Sequence, residues 1–382
     1  MNLIPPTLLH PNRTLAGPDT VLRLTREAAG FGPRGLLVHG ASLQRSGLLD
    51  AILAEPPSGM TVRAWRHAGG EPTVHAVEAL RAGIRAERPD WVAAVGGGSV
   101  MDLAKAAAGL AGAPESVPFY MAHPEAIPPA DLPLIAAPST AGTGSEATVV
   151  AVLSDPERTL KQSIRHPSYM PRLVILDPRL LRDCPPATLA AAGLDAFVQA
   201  FESYTSRHAT PWTRALSELA LARIAQSLLP LYRGDTDRAA DMLEASFLAG
   251  VALSHARLGV VHGLAHPLGA RFHAAHGLVC ACCLPACLAF NRPVLGDTLQ
   301  DLRNRLGLDV ERQTATWLEA MSLGNPFAGK PLPDREAVIR ETLASGSTAA
   351  NPRPVSAGDV SDLLDTILGH GALPAPRRQP DR

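Results

Sequence analysis

Four of the chain's thirteen histidines fall within fifteen residues, and three of them are spaced as His262-x3-His266-x9-His276. One helical turn separates His262 from His266, so both can face the same side. Upstream, Asp195 is a carboxylate in an apolar stretch, Gly193-Leu194-Asp195-Ala196-Phe197-Val198. Two imidazoles and a carboxylate are enough for a divalent transition-metal site. Each histidine taken alone reads equally as a hydrogen-bonded core or surface residue, and the rest of the chain has to decide.

A second kind of chemistry is written in Val95-Gly96-Gly97-Gly98-Ser99-Val100-Met101-Asp102-Leu103-Ala104-Lys105, a strand, a glycine turn and a helix start. Glycines let backbone approach a phosphate, and the free N–H groups of the first helical turn then bind it with the helix dipole. Ser99 is placed to cap that helix. The turn is not the G-x-G-x-x-G fingerprint and follows well after the first βα unit. A second loop, Pro138-Ser139-Thr140-Ala141-Gly142-Thr143-Gly144-Ser145-Glu146, offers hydroxyls and backbone donors just after another strand. Ligands of open α/β sheets sit at the carboxyl ends of strands. The pair of loops suggests a dinucleotide, with cofactor contacts from Gly96, Gly97, Gly98 and Ser99 on one side and Ser139, Thr140 and Thr143 on the other. The early loop Val38-His39-Gly40-Ala41-Ser42 has no acidic residue to bind the ribose hydroxyls and repel a 2′-phosphate. Gly40 and Ser42, followed by Arg45 and Ser46, admit NADP as well as NAD.

The elements that must position these groups follow from periodicity. Residues 35–39, 60–65, 91–95, 134–137, 149–153, 161–165 and 173–176 read as strands, and 73–86 as a helix with Val74, Val77, Leu80 and Ile84 on one face. This alternation implies a parallel sheet covered by helices. After Cys184-Pro185-Pro186 the pattern turns helical, most clearly over 210–229 and 239–258. Residues 1–180 are therefore expected to form an α/β dinucleotide-binding domain and 181–382 an all-helical metal and substrate domain, ending in a frayed Pro- and Arg-rich tail from Leu373 to Arg382.

With 382 residues the chain is too long for one ordinary core. Its net charge of −1, with no Lys/Arg block, gives no sign of a nucleic-acid groove or an anionic membrane surface. The first residues lack a signal-peptide pattern, and no segment reads as apolar for the length of a membrane span. Of five cysteines, four cluster at 280, 282, 283 and 287. Their spacing matches no standard zinc pattern, and in so apolar a run they read as small buried hydrophobes. Free thiols fit a reducing cytoplasm.

The motifs together resemble the iron-containing (group III) alcohol dehydrogenases, relatives of dehydroquinate synthase, in order along nearly the whole chain. Gly96-Gly97-Gly98-Ser99 with Asp102 and Lys105 is similar to the family's G-G-G-S-x-x-D-x-x-K, and Pro138–Glu146 to its P-T-T-A-G-T-G-S-E. Gly193-Leu194-Asp195-Ala196 is similar to its metal-carboxylate motif, and Gly259–Gly269 with His276-Gly277 to its H-G-x-x-H-x-L-G and H-G signature. Ser345-Gly346-Ser347 with Asn351-Pro352-Arg353-Pro354 resembles its C-terminal part. The resemblance implies an α/β N-terminal Rossmann-like domain plus an all-α C-terminal domain, a site in the cleft between them, and a homodimer. It carries metal ligation by Fe2+ or Zn2+ to Asp195, His262 and His276, and an active-site role to His266. Cofactor contacts extend to Asp102 and Lys161.

One departure stands out. Where the family has a fourth metal ligand, a histidine four residues after the aspartate, this chain has Gln199. The i,i+4 placement keeps Gln199 on the face of Asp195, but an amide oxygen is a weaker donor than imidazole. Gln199 ligates through its oxygen, or holds a water on a three-ligand site, or marks a lost metal, as in the maleylacetate reductase relatives. The reaction implied is NAD(P)-dependent, reversible hydride transfer between a small alcohol and its aldehyde or ketone, with a Lewis-acid metal and His266 relaying the proton. Two alternatives remain. One is a dehydroquinate-synthase-like lyase, for which the basic residues near the metal motifs are mainly Arg257 and Arg271. The other is a nucleotide-binding scaffold without turnover. Phe197 and Phe272 are candidate pocket walls or plain core.

Overall fold

The computed structural model describes residues 2–158 and 160–369, so the tail from Leu373 to Arg382 lies outside the described residues. The chain divides into two compact units, residues 9–185 and residues 186–382 joined by residues 1–8.

The first unit is built on six parallel strands in the order β1-β8-β5-β4-β2-β3. They are β1 Arg13–Ala16, β2 Arg34–His39, β3 Thr61–Arg66, β4 Trp91–Gly96, β5 Leu134–Pro138 and β8 Leu173–Leu176. The central β4 and β5 are buried at every residue, which explains their unbroken apolar sequences, whereas the edge strand β3 is mostly exposed. Gly35 is forced by packing: a Cβ there would lie 2.2 Å from the Trp91 ring in the register-paired strand. Helices α1 Leu24–Ala28, α2 Ala41–Arg45, α3 Leu48–Leu53, α4 Val74–Glu87, α5 Gly98–Gly109 and α6 Val117–Ala122 complete the unit. The Thr73 hydroxyl caps α4 by accepting from Ala76 N at 3.1 Å, and the apolar stripe Val74, Val77, Leu80 and Ile84 is buried as periodicity requires.

Two expectations are corrected here. β6 Val150–Asp155 and β7 Leu160–Arg165 do not join the parallel sheet; they pair antiparallel as a separate ribbon. Only four residues join them, enough for a hairpin turn and too few for the crossover that a parallel pair requires. β1, in turn, goes unnoticed in the sequence because its four residues are mostly exposed and show no apolar run. Its backbone alone pairs it with β8.

The second unit is helical throughout its described residues: α7 Pro186–Thr205, α8 Pro211–Tyr232, α9 Ala239–Ala256, α10 Val260–Phe272, α11 His276–Leu306, α12 Val310–Ala320, α13 Arg335–Ala344, α14 Gly346–Ala349 and α15 Ala357–Gly369. Thr210 and Thr213 form a reciprocal capping box at the start of α8. α7 packs against α8, α9 and α11, and is buried almost continuously from Leu189 onward. Close approach is written in glycines. A Cβ on Gly193 of α7 would lie 2.2 Å from Leu228, and one on Gly277 of α11 would lie 1.8 Å from the Ala191 carbonyl oxygen. α11 also corrects the expectation that no segment is apolar for the length of a span. By length and composition it could cross a membrane, but 56% of its apolar window is buried inside the unit, as suits a core helix.

Candidate metal and cofactor sites

Both loops of the first unit meet at the carboxyl ends of adjacent strands. β2 and β4 are neighbours, with His39 in register with Val95, and the chain leaves them in opposite directions across the sheet. This is the switch point at which open α/β sheets bind ligands. Gly97 is the N-cap of α5 in extended backbone, so Gly98 and Ser99 are its first helical residues. Ser99 therefore does not cap the helix as expected. The turn needs two of its glycines: a Cβ on Gly98 would lie 2.8 Å from Thr143 Cγ2 and one on Gly96 2.6 Å from Val100, whereas one on Gly97 would be 3.4 Å from Thr140 Cγ2, close to ordinary contact. Ser139 N donates to Gly96 O at 2.9 Å, so the glycine turn and the loop after β5 are held side by side. Gly40 starts α2, with Ser42 in its first turn, and faces Val100.

Asp102 and Lys105 brace this arrangement from below. Asp102 accepts from Ser145 Oγ at 2.7 Å and from Val152 N at 3.0 Å. The buried Lys105 ammonium donates to the Ser145 carbonyl, to Thr148 O at 2.8 Å and to Val150 O at 3.2 Å. Lys161 lies apart from this set, paired with Glu71 Oε1 at 2.8 Å. Burial pushes the Asp102 carboxyl above its ordinary value and pulls Lys105 down to about 8. Burial also pushes Glu146, in the same loop, from 4.5 up to about 7.

The Glu146 shift has a testable consequence. The folded chain holds the Glu146 proton up to about pH 7, while the unfolded chain loses it near 4.5. Ionisation therefore costs stability as pH rises through this window, fully above about 7. Glu146→Gln is expected to raise the unfolding free energy at pH 8 by about 1–3 kcal/mol, with the gain vanishing below about pH 4.5. Denaturant melts at the two pH values measure the difference.

In the second unit, Asp195, His262, His276 and Cys280 each offer a ligand atom, and these atoms lie within 4.8 Å of one another. Asp195 Oδ1 is 3.2 Å from His262 Nε2, 3.7 Å from His276 Nε2 and 3.9 Å from Cys280 Sγ. Asp195 and Gln199 lie one turn apart on α7, and the Gln199 amide is near enough to the Asp195 carboxylate to help lower its pKa. The Oε1 of that amide is buried without a partner. His266 stacks on His276 at 4.7 Å between ring centroids, 24° from parallel, and stays half-buried.

Two members of this arrangement escape the sequence reading. Cys280 is not one of four equivalent hydrophobes. It sits one turn after His276, with Sγ 3.7 Å from His276 Nε2, and the i,i+4 spacing from a suspected ligand was the available signal. Glu202, seven residues after Asp195 on the same face, was detectable in the same way. Its Oε2 takes His262 Nδ1 at 2.6 Å, and its Oε1 accepts from Val261 N at 2.8 Å. It therefore caps α10 and fixes the ring so that Nε2 faces Asp195. A carboxylate behind an imidazole is the usual support of a metal-bound histidine.

The electrostatics set the cluster apart from its surroundings. Burial opposes charging His262, but Cys280, Asp195 and Glu202 outweigh it and hold the imidazole well above its ordinary pKa. His276 is likewise raised against its burial by Cys280 and Asp195. Burial would raise Asp195, yet His276, His262 and the Gln199 hydrogen bond leave it below its ordinary value. Cys280 is also lowered against its burial, by His262 and His276. Cys282, by contrast, is pushed up to about 12 by burial, and Cys283 and Cys287 are raised well above their ordinary value. The donors therefore fit a divalent cation: two imidazoles, a carboxylate and a thiol, beside a buried amide oxygen with no partner.

The glycine beside His276 makes this convergence possible. Gly277→Ala places a Cβ against the Ala191 carbonyl and 2.9 Å from Asp195 Cβ. Backbone cannot yield as a side chain would. The substitution is expected to cost about 1–3 kcal/mol or more and to reduce the metal bound per chain. Thermal unfolding and metal analysis check this, and an unchanged melting temperature would deny the close approach.

Residues 11–178 match the family described as iron-containing alcohol dehydrogenase, and residues 189–368 match the Fe-containing alcohol dehydrogenase family, C-terminal. The chain is 38% identical to the probable alcohol dehydrogenase EutG of Escherichia coli (strain K12) over 304 residues, covering 78% of this chain and 77% of that protein. It is 33% identical to the NADPH-dependent butanol dehydrogenase of Clostridium saccharobutylicum over 355 residues, 87% of this chain and 90% of that one. The solved structure of an iron-containing alcohol dehydrogenase from Thermococcus thioreducens superposes with a TM-score of 0.86 at 28% identity, over 95% of this chain and all (100%) of that chain.

Proposed function

The chain belongs to the iron-containing alcohol dehydrogenase family, and from that premise we propose that it oxidises a small alcohol, and reduces its aldehyde or ketone, at a metal held by Asp195, His262 and His276. The observation that carries this reading is the meeting of those three side chains, within 3.2–3.7 Å of one carboxylate oxygen, with Glu202 behind His262. A bound divalent cation supplies Lewis-acid polarisation of the substrate C–O bond. NAD(P), seated on Gly96, Gly97, Gly98, Ser99, Ser139, Thr140 and Thr143 with its adenosine end toward Gly40 and Ser42, supplies the hydride acceptor. The absence of an acidic residue in the Gly40–Ser42 loop supports NADP as well as NAD, as does the NADPH dependence of the Clostridium relative.

The chain's own residues do the remaining work. Asp195 neutralises positive charge at the centre, and Glu202 holds His262 in one orientation. His266 takes the alcohol proton and, being half-buried against His276, passes it to solvent. Asp102 acts on the cofactor through the loops it pins. A contact from Lys161 requires it to leave Glu71. The Gln199 oxygen, buried without a partner, is left as an acceptor for substrate or water. We further propose that the enzyme works as a homodimer in the cytoplasm; its five cysteines, all free, support a reducing compartment.

The lyase reading and the reading of two phenylalanines as pocket walls lose support. Arg271 is engaged by Glu341 at 2.7 and 2.9 Å, which removes one of the two basic residues available to a lyase acting on an anionic substrate. Phe197 and Phe272 are core residues, packed edge-on against Trp317 and Phe327. The test is a panel of primary alcohols and aldehydes with NAD and NADP, followed by cofactor absorbance. Alcohol-dependent reduction is expected. Phosphate release without net reduction would indicate the lyase, and tight cofactor binding without turnover the scaffold.

A further inference from the structure

We propose that Cys280 is the fourth ligand of the metal site, in place of an imidazole at position 199, and that its thiolate makes the site select zinc over ferrous iron. The inference rests on the metal-assisted reading above and deepens it.

The geometry points to the sulfur. Zinc bonds of about 2.0–2.1 Å to nitrogen or oxygen and about 2.3 Å to sulfur imply tetrahedral edges of roughly 3.3 to 3.6 Å. The observed edges are 3.2 Å for Asp195–His262, 3.7 Å for Asp195–His276, 3.7 Å for His276–Cys280 and 3.9 Å for Asp195–Cys280. Every ligand atom lies within 4.8 Å of the others. Four of the six edges are thus within a few tenths of an ångström of a tetrahedron's, and the two from His262 to His276 and to Cys280 are no longer than 4.8 Å. His276 and Cys280 lie one turn apart on α11, so a single helix presents both, and Asp195 reaches them from α7.

Gln199 is placed differently. Its amide acts on the Asp195 carboxylate as a donor would, lowering its pKa, which suits the NH2 end toward the cluster's anion. To ligate, the oxygen would have to replace that end, and it would still compete as a neutral donor against a thiolate. Its buried, unpartnered Oε1 is better matched to a hydroxyl at the site than to the cation itself. The other three clustered cysteines are buried with raised pKa values, outside the set of converging donors. A donor set of one thiolate, two imidazoles and one carboxylate is softer than one of three imidazoles and one carboxylate, and soft sulfur donors favour zinc over ferrous iron.

X-ray absorption on the zinc-loaded full chain reads the ligand directly and needs no variant. One sulfur neighbour at about 2.3 Å, with the rest at about 2.0–2.1 Å, is expected. The cobalt-loaded protein should show a thiolate-to-cobalt charge-transfer band in the near ultraviolet, absent in Cys280→Ser and unchanged in Cys283→Ser. Cys280→Ser should weaken zinc binding by more than the roughly 100-fold that loss of an outer partner costs. The double variant Gln199→His, Cys280→Ser should recover metal without the band and lower the zinc-to-iron ratio roughly tenfold. Zinc bound only by nitrogen and oxygen, or a band that survives in Cys280→Ser, overturns the inference while leaving the dehydrogenase reading intact. A chain that takes up no metal, yet still reduces cofactor with alcohol after chelation, overturns both this inference and the metal's part in the proposed reaction.

Discussion

His262→Ala is expected to strip the centre of metal and to slow alcohol-dependent cofactor reduction by at least about 10³-fold. Polarisation by a bound cation supplies several kcal/mol of transition-state stabilisation, and each 1.36 kcal/mol is tenfold in rate. The damage extends beyond one lost donor. His262 stands between two buried carboxylates, 2.6 Å from Glu202 and 3.2 Å from Asp195. Removing the ring leaves both acids buried without the group that balances them, a situation that costs about 3–5 kcal/mol when one partner of a buried pair is deleted. Metal per chain, steady-state rate and melting temperature should therefore fall together. A variant that keeps its metal and its rate would place the chemistry elsewhere.

Glu202→Ala should be nearly as severe, by a different route. Glu202 touches no substrate in this account; it is a positioning residue. It accepts from Val261 N, His262 N and His262 Nδ1, so its loss uncaps α10 and frees the ring at once. Gly259 leaves room for it, since a Cβ there would lie 2.6 Å from Glu202 Oε1. The expected cost is about 3 kcal/mol or more in stability and 10–100-fold in metal affinity. Glu202→Gln separates the two effects. A neutral amide keeps an acceptor for the helix N-terminus but cannot strengthen the imidazole as a carboxylate does. Stability should largely return while metal affinity stays low, an outcome that a purely structural role would not produce.

The sequence made the chemistry more legible than the scaffold. Asp195 and the histidines at 262, 266 and 276 stand out as polar residues in or beside apolar stretches, but the choice of Asp195, His262 and His276 as the ligands rests on the family resemblance. Extending the same argument by one turn from His276 finds Cys280, and by two turns from Asp195 finds Glu202. The thiol was hidden by its company: among Cys282, Cys283 and Cys287, all buried by packing, one ligating sulfur looks like a fourth hydrophobe. The buried strands β4 and β5 announced themselves through unbroken apolar runs, but strand partners did not. β6 and β7 pair with each other and β1 with β8 through backbone hydrogen bonds, which leave little mark on residue type. The position of Gly97 as the cap of α5 was similarly obscured, because three successive glycines and a serine allow several helix starts.

Chelation tests the central claim most directly. Metal is measured in protein purified without chelator, removed with EDTA, and restored, with alcohol-dependent NAD(P) reduction followed at each stage. The account predicts about one divalent ion per chain, loss of activity with its removal, and recovery on adding back zinc or ferrous iron. Full activity in protein shown to be free of metal would contradict it.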